Sequence, residues 1–340
     1  MNGQKRTRIS VIGAGSWGTT LANLLAEKGH QTVLYVYEKD QYELMVKDRI
    51  NIKYLPGVAL PESLELTDNL EGAFNFADSI LLVVPSHAVR GILKQVVKKV
   101  NMGNKLLINA SKGIENDSLL RMSQVIRQVT EVGELQVATL SGPSHAEEVS
   151  RGVATAVVAG SEDLDTARQV REIFRTDTFR VYSSTDIIGV ELGGSLKNVI
   201  AIAAGIADGA GFGDNTKAAL MTRALVEMTR LGVSMGAQIE TFSGLSGMGD
   251  LIVTCMSKHS RNRYVGEEIG KGRSLQKVLD EMVMVAEGVK TTRSVHQLKV
   301  KYPVDTPISQ EVYEVLFNQK NPHEAVRDLM TRDPKEESPI

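Results

Sequence analysis

The chain has 340 residues, 42% of them hydrophobic and 24% charged, so we expect an ordinary globular protein with two domains. Its formal net charge is -2, and the lysines and arginines are spread along the chain, which excludes a general polyanion binder and favours neither nucleic acid nor a membrane as partner. One cysteine, Cys255, excludes an intrachain disulfide, and the chain shows neither a signal-peptide apolar region nor an unbroken run of about 20 apolar residues, so we expect a cytoplasmic protein.

The N-terminus carries a glycine-rich turn between a strand and a helix. Residues 8–12 predict a buried strand, and residues 19–28 predict the helix that follows. Between them stands G-x-G-x-x-G: Gly13 permits the tight turn, Gly15 lets the backbone approach a pyrophosphate, and Gly18 allows close packing of helix on strand. In this context the motif indicates a dinucleotide-binding site rather than a structural turn.

The second strand, at residues 31–37, ends in a residue type that bears on the choice of cofactor. Glu38 lies about 20 residues past the third glycine, where an acid usually bonds the ribose 2′-hydroxyl of NAD. A carboxylate there should repel the 2′-phosphate of NADP, although the neighbouring Lys39 would soften that repulsion. We therefore expect NAD as the preferred cofactor, with NADP as the alternative.

Further strands follow at the spacing of an α/β domain, with helical stretches between several of them. The predicted class is a mostly parallel sheet covered on both faces, and ligands bind such sheets beyond the carboxyl ends of the strands. Polar, glycine-containing turns follow three of these strands and predict the rim of a site. The predicted strands are 79–84, 105–108, 136–140, 155–158 and 179–182, and the three turns are 85–87, 109–113 and 141–146.

A long apolar helix, predicted at about residues 186–206, carries Lys197 near its middle. Lysine is among the residues least often buried. Helical side chains lean back over the residues three and four before them, which here are Gly194 and Gly193. Two readings stay open: the glycines leave space for a small substrate beside the ammonium, or they allow close helix packing around a lysine that reaches solvent.

From the central helix onwards only helical periodicity follows. The predicted domains are therefore a dinucleotide-binding domain at 1–184, an all-helical domain at 185–334 and a loose tail at 335–340. Besides the central helix, the predicted helices are 214–235, 261–270, 274–283, 287–300, 307–319 and 321–332.

Two polar segments lie between these helices. Residues 243–254 are glycine-rich and contain one carboxylate, Asp250. Residues 260–263 (Ser-Arg-Asn-Arg) stand at a predicted helix start, where an arginine and free N–H groups suit a phosphate dianion. A capped helix with a solvated first turn is the alternative for the second segment. We see no His, Cys, Asp and Glu spacing that predicts a metal site.

Taken together, the motifs resemble the NAD(P)-dependent glycerol-3-phosphate dehydrogenases of the bacterial biosynthetic type. The matching stretches span nearly the whole chain in the family's order and are specific as a set. They are 13–19, 54–57, 111–113, 141–144, 191–198, 244–250, 260–262 and 287–288. The resemblance implies a Rossmann-type doubly wound sheet followed by an all-α domain, as in 6-phosphogluconate dehydrogenase.

The resemblance also implies an activity and a set of site residues. The reaction would interconvert dihydroxyacetone phosphate and glycerol 3-phosphate, a small phosphorylated three-carbon substrate, to supply phospholipid synthesis, in a homodimer. Lys197 would be the catalytic proton acceptor and donor. The cofactor residues would be Gly13, Gly15, Ser16, Trp17, Gly18, Tyr37, Glu38, Lys112, Ala146, Arg261, Val285 and Glu287. The substrate residues would be Lys112, Gly142, Ser144, Lys197, Asp250, Ser260, Arg261 and Asn262.

One departure and two rival functions accompany this resemblance. Many members of the family carry arginine or histidine around positions 37–38, where this chain has Tyr37 and Glu38, and this puts a preference for NADP in doubt. The first rival is another β-hydroxyacid-type dehydrogenase of the same architecture, which would not be expected to carry residues 260–262 after Asp250. The second is a non-catalytic NAD(H)-sensing protein, against which the joint presence of Lys112, Lys197 and Asp250 argues.

Overall fold

The computed structural model describes residues 6–132, 136–334 and 336–337. The chain divides into two compact units. The N-terminal unit comprises the chain up to Ser111 together with Met122–Ile187, and the helical unit comprises Lys112–Arg121 together with the chain from Ile188 onwards.

The N-terminal unit is built on an eight-stranded sheet. The order β3-β2-β1-β4-β5-β6-β7-β8 contains the 3-2-1-4-5-6 order of dinucleotide-binding sheets. Neighbouring strands are parallel except β6 and β7, which pair antiparallel, so the prediction of a mostly parallel sheet is confirmed. The strands are β1 Arg8–Ile12, β2 Gln31–Tyr35, β3 Leu64–Thr67, β4 Ser79–Leu82, β5 Leu106–Asn109, β6 Gln136–Ser141, β7 Thr155–Gly160 and β8 Phe179–Ser184.

Helices cover this sheet, and the central strands are consequently buried along almost their whole length. Ile9, Val11 and Leu81 are fully buried, as expected for strands with a helix layer on each face. The helices are α1 Ser16–Glu27, α2 Lys39–Asp48, α3 Leu70–Phe76, α4 Val89–Val96, α5 Met122–Thr130, α6 Ala146–Val149 and α7 Leu164–Phe174, with a short 3₁₀ turn at Ser86–Ala88.

The helical unit is organised around one long helix, α8, which runs from Ile187 to Gly209. Its length and mean hydropathy of 1.5 would suit a membrane span, although Glu191 and Lys197 interrupt its apolar residues, and 89% of that apolar window is buried inside the protein. The long apolar helix predicted around Lys197 is therefore confirmed, and it is buried. The others are α9 Asp214–Ser234, α10 Ile239–Phe242, α11 Asp250–Met256, α12 Arg261–Gly270, α13 Leu275–Glu281, α14 Glu287–Lys301, α15 Pro307–Phe317 and α16 Pro322–Met330, with a π turn at Leu245–Gly249.

The segment Lys112–Arg121 packs with the helical unit, whereas the sequence analysis placed it in the N-terminal domain. Ile114 is buried in the core of the helical unit. The Ser294 hydroxyl donates a hydrogen bond of 3.0 Å to the Ile114 carbonyl, and the Asn116 amide donates one of 3.1 Å to the Lys290 carbonyl. Contacts with α14, more than 170 residues later in the chain, thus decide where this segment belongs.

Three further differences concern elements that are short. The sequence analysis did not predict the edge strand β3, which has four residues, or the short helices α10 and α11 around the glycine-rich segment. Most of the predicted loose tail at 335–340 lies outside the described residues. Of the two that are described, Glu337 forms an ion pair with Arg223.

Candidate active site

The glycine turn after β1 has the close contacts that its motif predicts. Gly13 has a φ of +117°, and a Cβ there would lie 2.6 Å from the Val83 carbonyl oxygen at the end of β4. A Cβ on Gly18 would lie 1.9 Å from the Gly13 carbonyl oxygen, whereas one on Gly15 would meet nothing within 4 Å. The turn is therefore tightly packed at Gly13 and Gly18 but open at Gly15. Gly15 lies at the N-terminus of α1, where a pyrophosphate would approach.

Near the carboxyl ends of the parallel strands, three buried polar atoms have no hydrogen-bond partner among the described residues. They are Trp17 Nε1 in the glycine turn, Ser111 Oγ after β5 and Ser141 Oγ at the end of β6. Unpaired buried polar groups are costly unless a ligand or water satisfies them. A dinucleotide offers both donors and acceptors, so the residues present fit the cofactor implied by the motif.

At the end of β2, Glu38 already has charged and polar partners. Its two carboxylate oxygens lie 2.8 and 2.9 Å from the Lys53 ammonium, and the Tyr54 hydroxyl donates to the same carboxylate at 3.3 Å. Tyr37 beside it is 82% exposed, which leaves its ring available to a ligand. From the sequence, Lys39 is the cation expected to offset the charge of Glu38. In the structure it is Lys53 that forms the ion pair with Glu38.

The turn after β6 places the remaining site residues of the N-terminal unit. Gly142 has a φ of +143°, and a Cβ there would lie 2.9 Å from the Cα of Val157. The Ser144 hydroxyl donates to the Gly142 carbonyl at 2.9 Å, so this hydroxyl closes the turn. Ala146 begins α6, and its carbonyl lies 3.4 Å from the Thr20 hydroxyl on α1. Helix α1 and this turn therefore lie side by side.

In the helical unit, Asp250 holds two ammonium groups at once. Its Oδ1 atom accepts a hydrogen bond from Lys197 on α8, and its Oδ2 atom accepts one of 2.8 Å from Lys112. Asp250 is fully buried and Lys197 is 6% exposed, while the Lys112 side chain keeps 19% of its surface. When both amines are protonated, two cations around one carboxylate leave a local charge of +1, which suits an anionic substrate.

A hydroxyl on the next turn of α11 fixes the direction of the Lys197 amine. Thr254 Oγ1 lies 2.6 Å from Lys197 Nζ and donates its own proton to the Asp250 backbone carbonyl at 2.6 Å. The hydroxyl can therefore only accept from the lysine. Because Asp250 and Thr254 stand four residues apart on one helix, they face the amine from the same side.

Burial lowers the pKa of Lys197 to about 7. Desolvation is the largest cause, and the nearby Lys112 lowers the pKa further, while Asp250 opposes both. Desolvation and Asp250 act on this pKa in opposite directions, and desolvation is the stronger. A pKa near neutrality lets one amine both give and take a proton under physiological conditions.

Gly193, four residues before Lys197, is used for packing rather than for substrate space. A Cβ on Gly193 would lie 2.3 Å from the Ser246 carbonyl oxygen and 3.3 Å from the Gly247 amide nitrogen. Gly193 therefore lets the π turn pack directly on α8. Of the two interpretations of these glycines, substrate space or close packing, the contact at Gly193 favours close packing. Lys197 does not extend to solvent as that reading supposed, because its ammonium is held by Asp250 and Thr254.

The next residue on α8, Asn198, organises a second cluster. The Asn262 side chain donates to the Asn198 side chain at 2.9 Å and accepts from the Gly288 amide at 2.8 Å. Glu287 begins α14 beside this Gly288 amide, and Val285 lies just before it, 39% exposed. Asn262 is thus already committed to joining α8, α12 and α14, besides any contact with substrate.

Ser260 caps helix α12, as the alternative reading of that segment predicted. Its hydroxyl accepts from the Arg263 amide at 3.2 Å. Arg261, the first residue of the helix, is exposed to solvent at the surface of the helical unit. The segment therefore presents a guanidinium and a helix N-terminus together, which is a suitable arrangement for a phosphate.

The sequence analysis missed several residues that the structure places at these clusters. The sequence gives no role to Asn198 or Lys53, and it offers Thr254 only as a polar residue near the start of α12, with no contact to Lys197. It also missed the buried ion pair between Arg121 and Glu191, which joins the segment after β5 to α8. The i, i+4 spacing of Asp250 and Thr254 was a signal that could have found Thr254, whereas the other contacts join residues far apart in sequence.

Comparison with known proteins identifies the family of this chain. Residues 8–167 match the family model for the N-terminus of NAD-dependent glycerol-3-phosphate dehydrogenase, and residues 186–327 match the model for its C-terminus. The chain is 54% identical over 330 residues to glycerol-3-phosphate dehydrogenase (NAD(P)+) of Prosthecochloris aestuarii, covering 97% of this chain and 99% of that protein. It is also 54% identical over 332 residues to the protein of the same name from Geobacter sulfurreducens, covering 97% and 98%.

A solved structure extends the agreement to three dimensions. The crystal structure of glycerol-3-phosphate dehydrogenase from Coxiella burnetii superposes with a TM-score of 0.92 at 36% identity, covering 96% of this chain and 99% of that one. The chain therefore belongs to the family of NAD-dependent glycerol-3-phosphate dehydrogenases.

Proposed function

We propose that this protein interconverts dihydroxyacetone phosphate and sn-glycerol 3-phosphate, using NAD or NADP, with Lys197 as the group that gives and takes the proton. The observation that carries this proposal is the buried cluster of Lys197, Asp250, Thr254 and Lys112. It holds one amine with a pKa near neutrality beside a second cation. The family and its cofactor are those of the relatives described above.

The proton chemistry follows from the state of Lys197. In the direction of reduction, the protonated amine donates a hydrogen bond to the C2 carbonyl oxygen of dihydroxyacetone phosphate and then transfers its proton as the oxygen becomes an alkoxide. In the reverse direction, the neutral amine takes the proton of the C2 hydroxyl. A nicotinamide cofactor, when bound, would supply the hydride in the first direction and accept it in the second, so that atoms and charge balance in both.

Other residues of the helical unit would position the substrate. Asp250 and Thr254 keep the Lys197 amine in one orientation, which reduces the entropy lost at the transition state. Lys112 adds positive charge where an oxyanion develops. Arg261 at the start of α12 is the residue we assign to the substrate phosphate, with Ser260 and Asn262 holding that turn in shape.

We also propose the finer attributes that the family resemblance implies. These are a homodimer in the cytoplasm, without a nucleic-acid or membrane partner, that supplies glycerol 3-phosphate for phospholipid synthesis. The spread of lysine and arginine along a chain with net charge -2 supports the absence of a polyanionic partner.

A substrate panel tests the proposed function. Purified protein is mixed with NADH or NADPH and with dihydroxyacetone phosphate, methylmalonate semialdehyde (the oxidised form of 3-hydroxyisobutyrate) or ketopantoate, and cofactor oxidation is followed by absorbance. We expect turnover with dihydroxyacetone phosphate at a kcat/KM at least about 100-fold above the other carbonyl compounds, because only it offers a phosphate to Arg261. Tight binding of NADH without turnover of any substrate would instead indicate a sensor.

A further inference from the structure

The Glu38 and Lys53 pair lies at the surface of the N-terminal unit, at the position where nicotinamide dinucleotides differ. Both side chains are partly exposed, 39% for Glu38 and 43% for Lys53. The Lys53 ammonium also lies 4.9 Å from the centre of the Tyr54 ring. The end of β2 therefore carries a neutral ion pair where the motif alone predicts a single negative charge.

The turn that carries Lys53 is fixed to the glycine turn by a buried asparagine. Asn51 is fully buried, and its amide donates to the Ala14 carbonyl at 2.9 Å and to the Thr19 hydroxyl at 2.8 Å. Its carbonyl oxygen accepts from the Tyr54 amide at 3.2 Å. These bonds hold residues 51–54 against the dinucleotide turn, so the closeness of Lys53 to Glu38 is built into the fold.

The energetics of this pair allow an exchange of partners. Exposed ion pairs contribute little to stability, because solvent screens them and two long side chains lose freedom. A 2′-phosphate carries more negative charge than a carboxylate and accepts stronger charge-assisted bonds. The Lys53 ammonium can therefore leave Glu38 for such a phosphate at small cost, whereas with NAD it stays on Glu38 while the carboxylate accepts from the ribose hydroxyl.

We propose that Lys53 allows this protein to bind both NAD and NADP at one site. With NAD its ammonium pairs with Glu38 and neutralises that carboxylate; with NADP the ammonium moves from Glu38 to the 2′-phosphate. This inference rests on the proposed use of a nicotinamide dinucleotide. It does not depend on the identity of the carbonyl substrate.

Cofactor binding, measured without substrate, tests this role. The dissociation constants of NADH and NADPH are obtained by titrating the fluorescence of the reduced nicotinamide with wild type, Lys53→Ala, Lys53→Arg and Glu38→Gln/Lys53→Ala. Lys47→Ala is the matched control, because it removes an exposed lysine of α2 away from Glu38. Dihydroxyacetone phosphate turnover is assayed separately on the same preparations.

We expect Lys53→Ala to weaken NADPH binding by about tenfold or more and to change NADH binding by less than about threefold, since a charge-assisted bond is lost and the carboxylate is exposed. Lys53→Arg should retain NADPH binding, and Glu38→Gln/Lys53→Ala should recover part of the loss because the repulsion is gone. Lys47→Ala should resemble wild type.

Two results would overturn the inference. One is a wild type that binds NADH but no measurable NADPH, and the other is an NADPH dissociation constant that Lys53→Ala leaves unchanged. Wild-type binding of both cofactors with the expected effect of Lys53→Ala, but no turnover of dihydroxyacetone phosphate, would instead remove the proposed function and leave the specificity role standing.

Discussion

The Nζ atom of Lys197 lies 2.6 Å from the hydroxyl oxygen of Thr254, inside the core of the helical unit. Thr254 donates its only proton to the Asp250 backbone carbonyl, so it offers the lysine a lone pair. The amine is thereby held by two groups, this hydroxyl and the Asp250 carboxylate.

Replacing Thr254 by valine should lower kcat more than it changes KM. The variant keeps the shape of the side chain but removes one acceptor of the Lys197 amine, which then samples unproductive orientations. We expect a fall in kcat of about tenfold, from the loss of one hydrogen bond to a charged group. Thr229→Val is the control, because Thr229 is also buried and donates to a carbonyl four residues before it, on α9. Equal effects of the two variants would contradict a specific role for Thr254.

The pH dependence of turnover should reveal the lowered pKa of Lys197. Reduction uses the protonated amine, so its kcat/KM for dihydroxyacetone phosphate should be highest below pH 7 and fall as the pH rises through about 7. Oxidation uses the neutral amine, so the kcat/KM for glycerol 3-phosphate should rise through the same range. Steady-state rates from pH 5 to 10, with saturating cofactor and with substrate varied below its KM, measure both limbs. A reduction rate that stays constant up to pH 9 would contradict the lowered pKa.

Replacing Asp250 by asparagine should move the pH profiles of both reduction and oxidation to lower pH. The Asp250 carboxylate raises the pKa of Lys197 against desolvation and against the charge of Lys112. Without that charge the amine loses its proton more readily. The reduction limb should therefore fall at a lower pH than in wild type, besides any drop in its maximum. A shift of the midpoint to higher pH would show that the carboxylate does not act on Lys197 in this way.

Breaking the ion pair of Arg121 and Glu191 should destabilise the helical unit. The two side chains are 9% and 4% exposed, so Arg121→Met leaves a carboxylate buried without this partner. We expect a loss of about 3 kcal/mol in the free energy of unfolding, measured with urea. The double variant Arg121→Met/Glu191→Leu should recover much of that loss. A single variant as stable as wild type would indicate that the pair contributes nothing.

Two glycine-to-alanine variants should have opposite effects on stability. In Gly193→Ala the new Cβ meets the Ser246 carbonyl at 2.3 Å, so α8 and the π turn must separate, at a cost of about 1–3 kcal/mol. In Gly91→Ala, on α4, the Cβ meets nothing within 4 Å, and reduced freedom of the unfolded chain should stabilise the protein by about 0.4–1 kcal/mol. Thermal unfolding of both variants measures this, and a stable Gly193→Ala would contradict close packing there.

The sequence predicts those parts of the fold that depend on local pattern. The glycine turn, the parallel strands and the apolar helix around Lys197 all follow from periodicity and from residue types at fixed spacing. The strand β3 escaped prediction because four residues at a sheet edge are too short for a clear period.

The contacts at the site depend on tertiary structure, and local pattern does not encode them. Asp250 meets Lys197 across 53 residues of sequence, and Asn116 meets α14 across more than 170. The ion pair of Lys53 with Glu38 could not be predicted for the same reason. Lys39 is adjacent to Glu38 in the sequence, whereas Lys53 contacts it in the folded protein. The residues alone mark Asp250 as the one carboxylate of residues 243–254, and only the family resemblance assigns it to the substrate.

The most direct test of the central claim is the kcat of Lys197→Ala for dihydroxyacetone phosphate reduction at pH 7, with saturating NADH. Because the variant lacks the only proton donor that we assign to the reaction, kcat should fall by about 10³-fold or more, while the dissociation constant of NADH stays within about threefold of wild type. A variant that retained most of the wild-type kcat would contradict the assignment of Lys197 as the proton donor and acceptor.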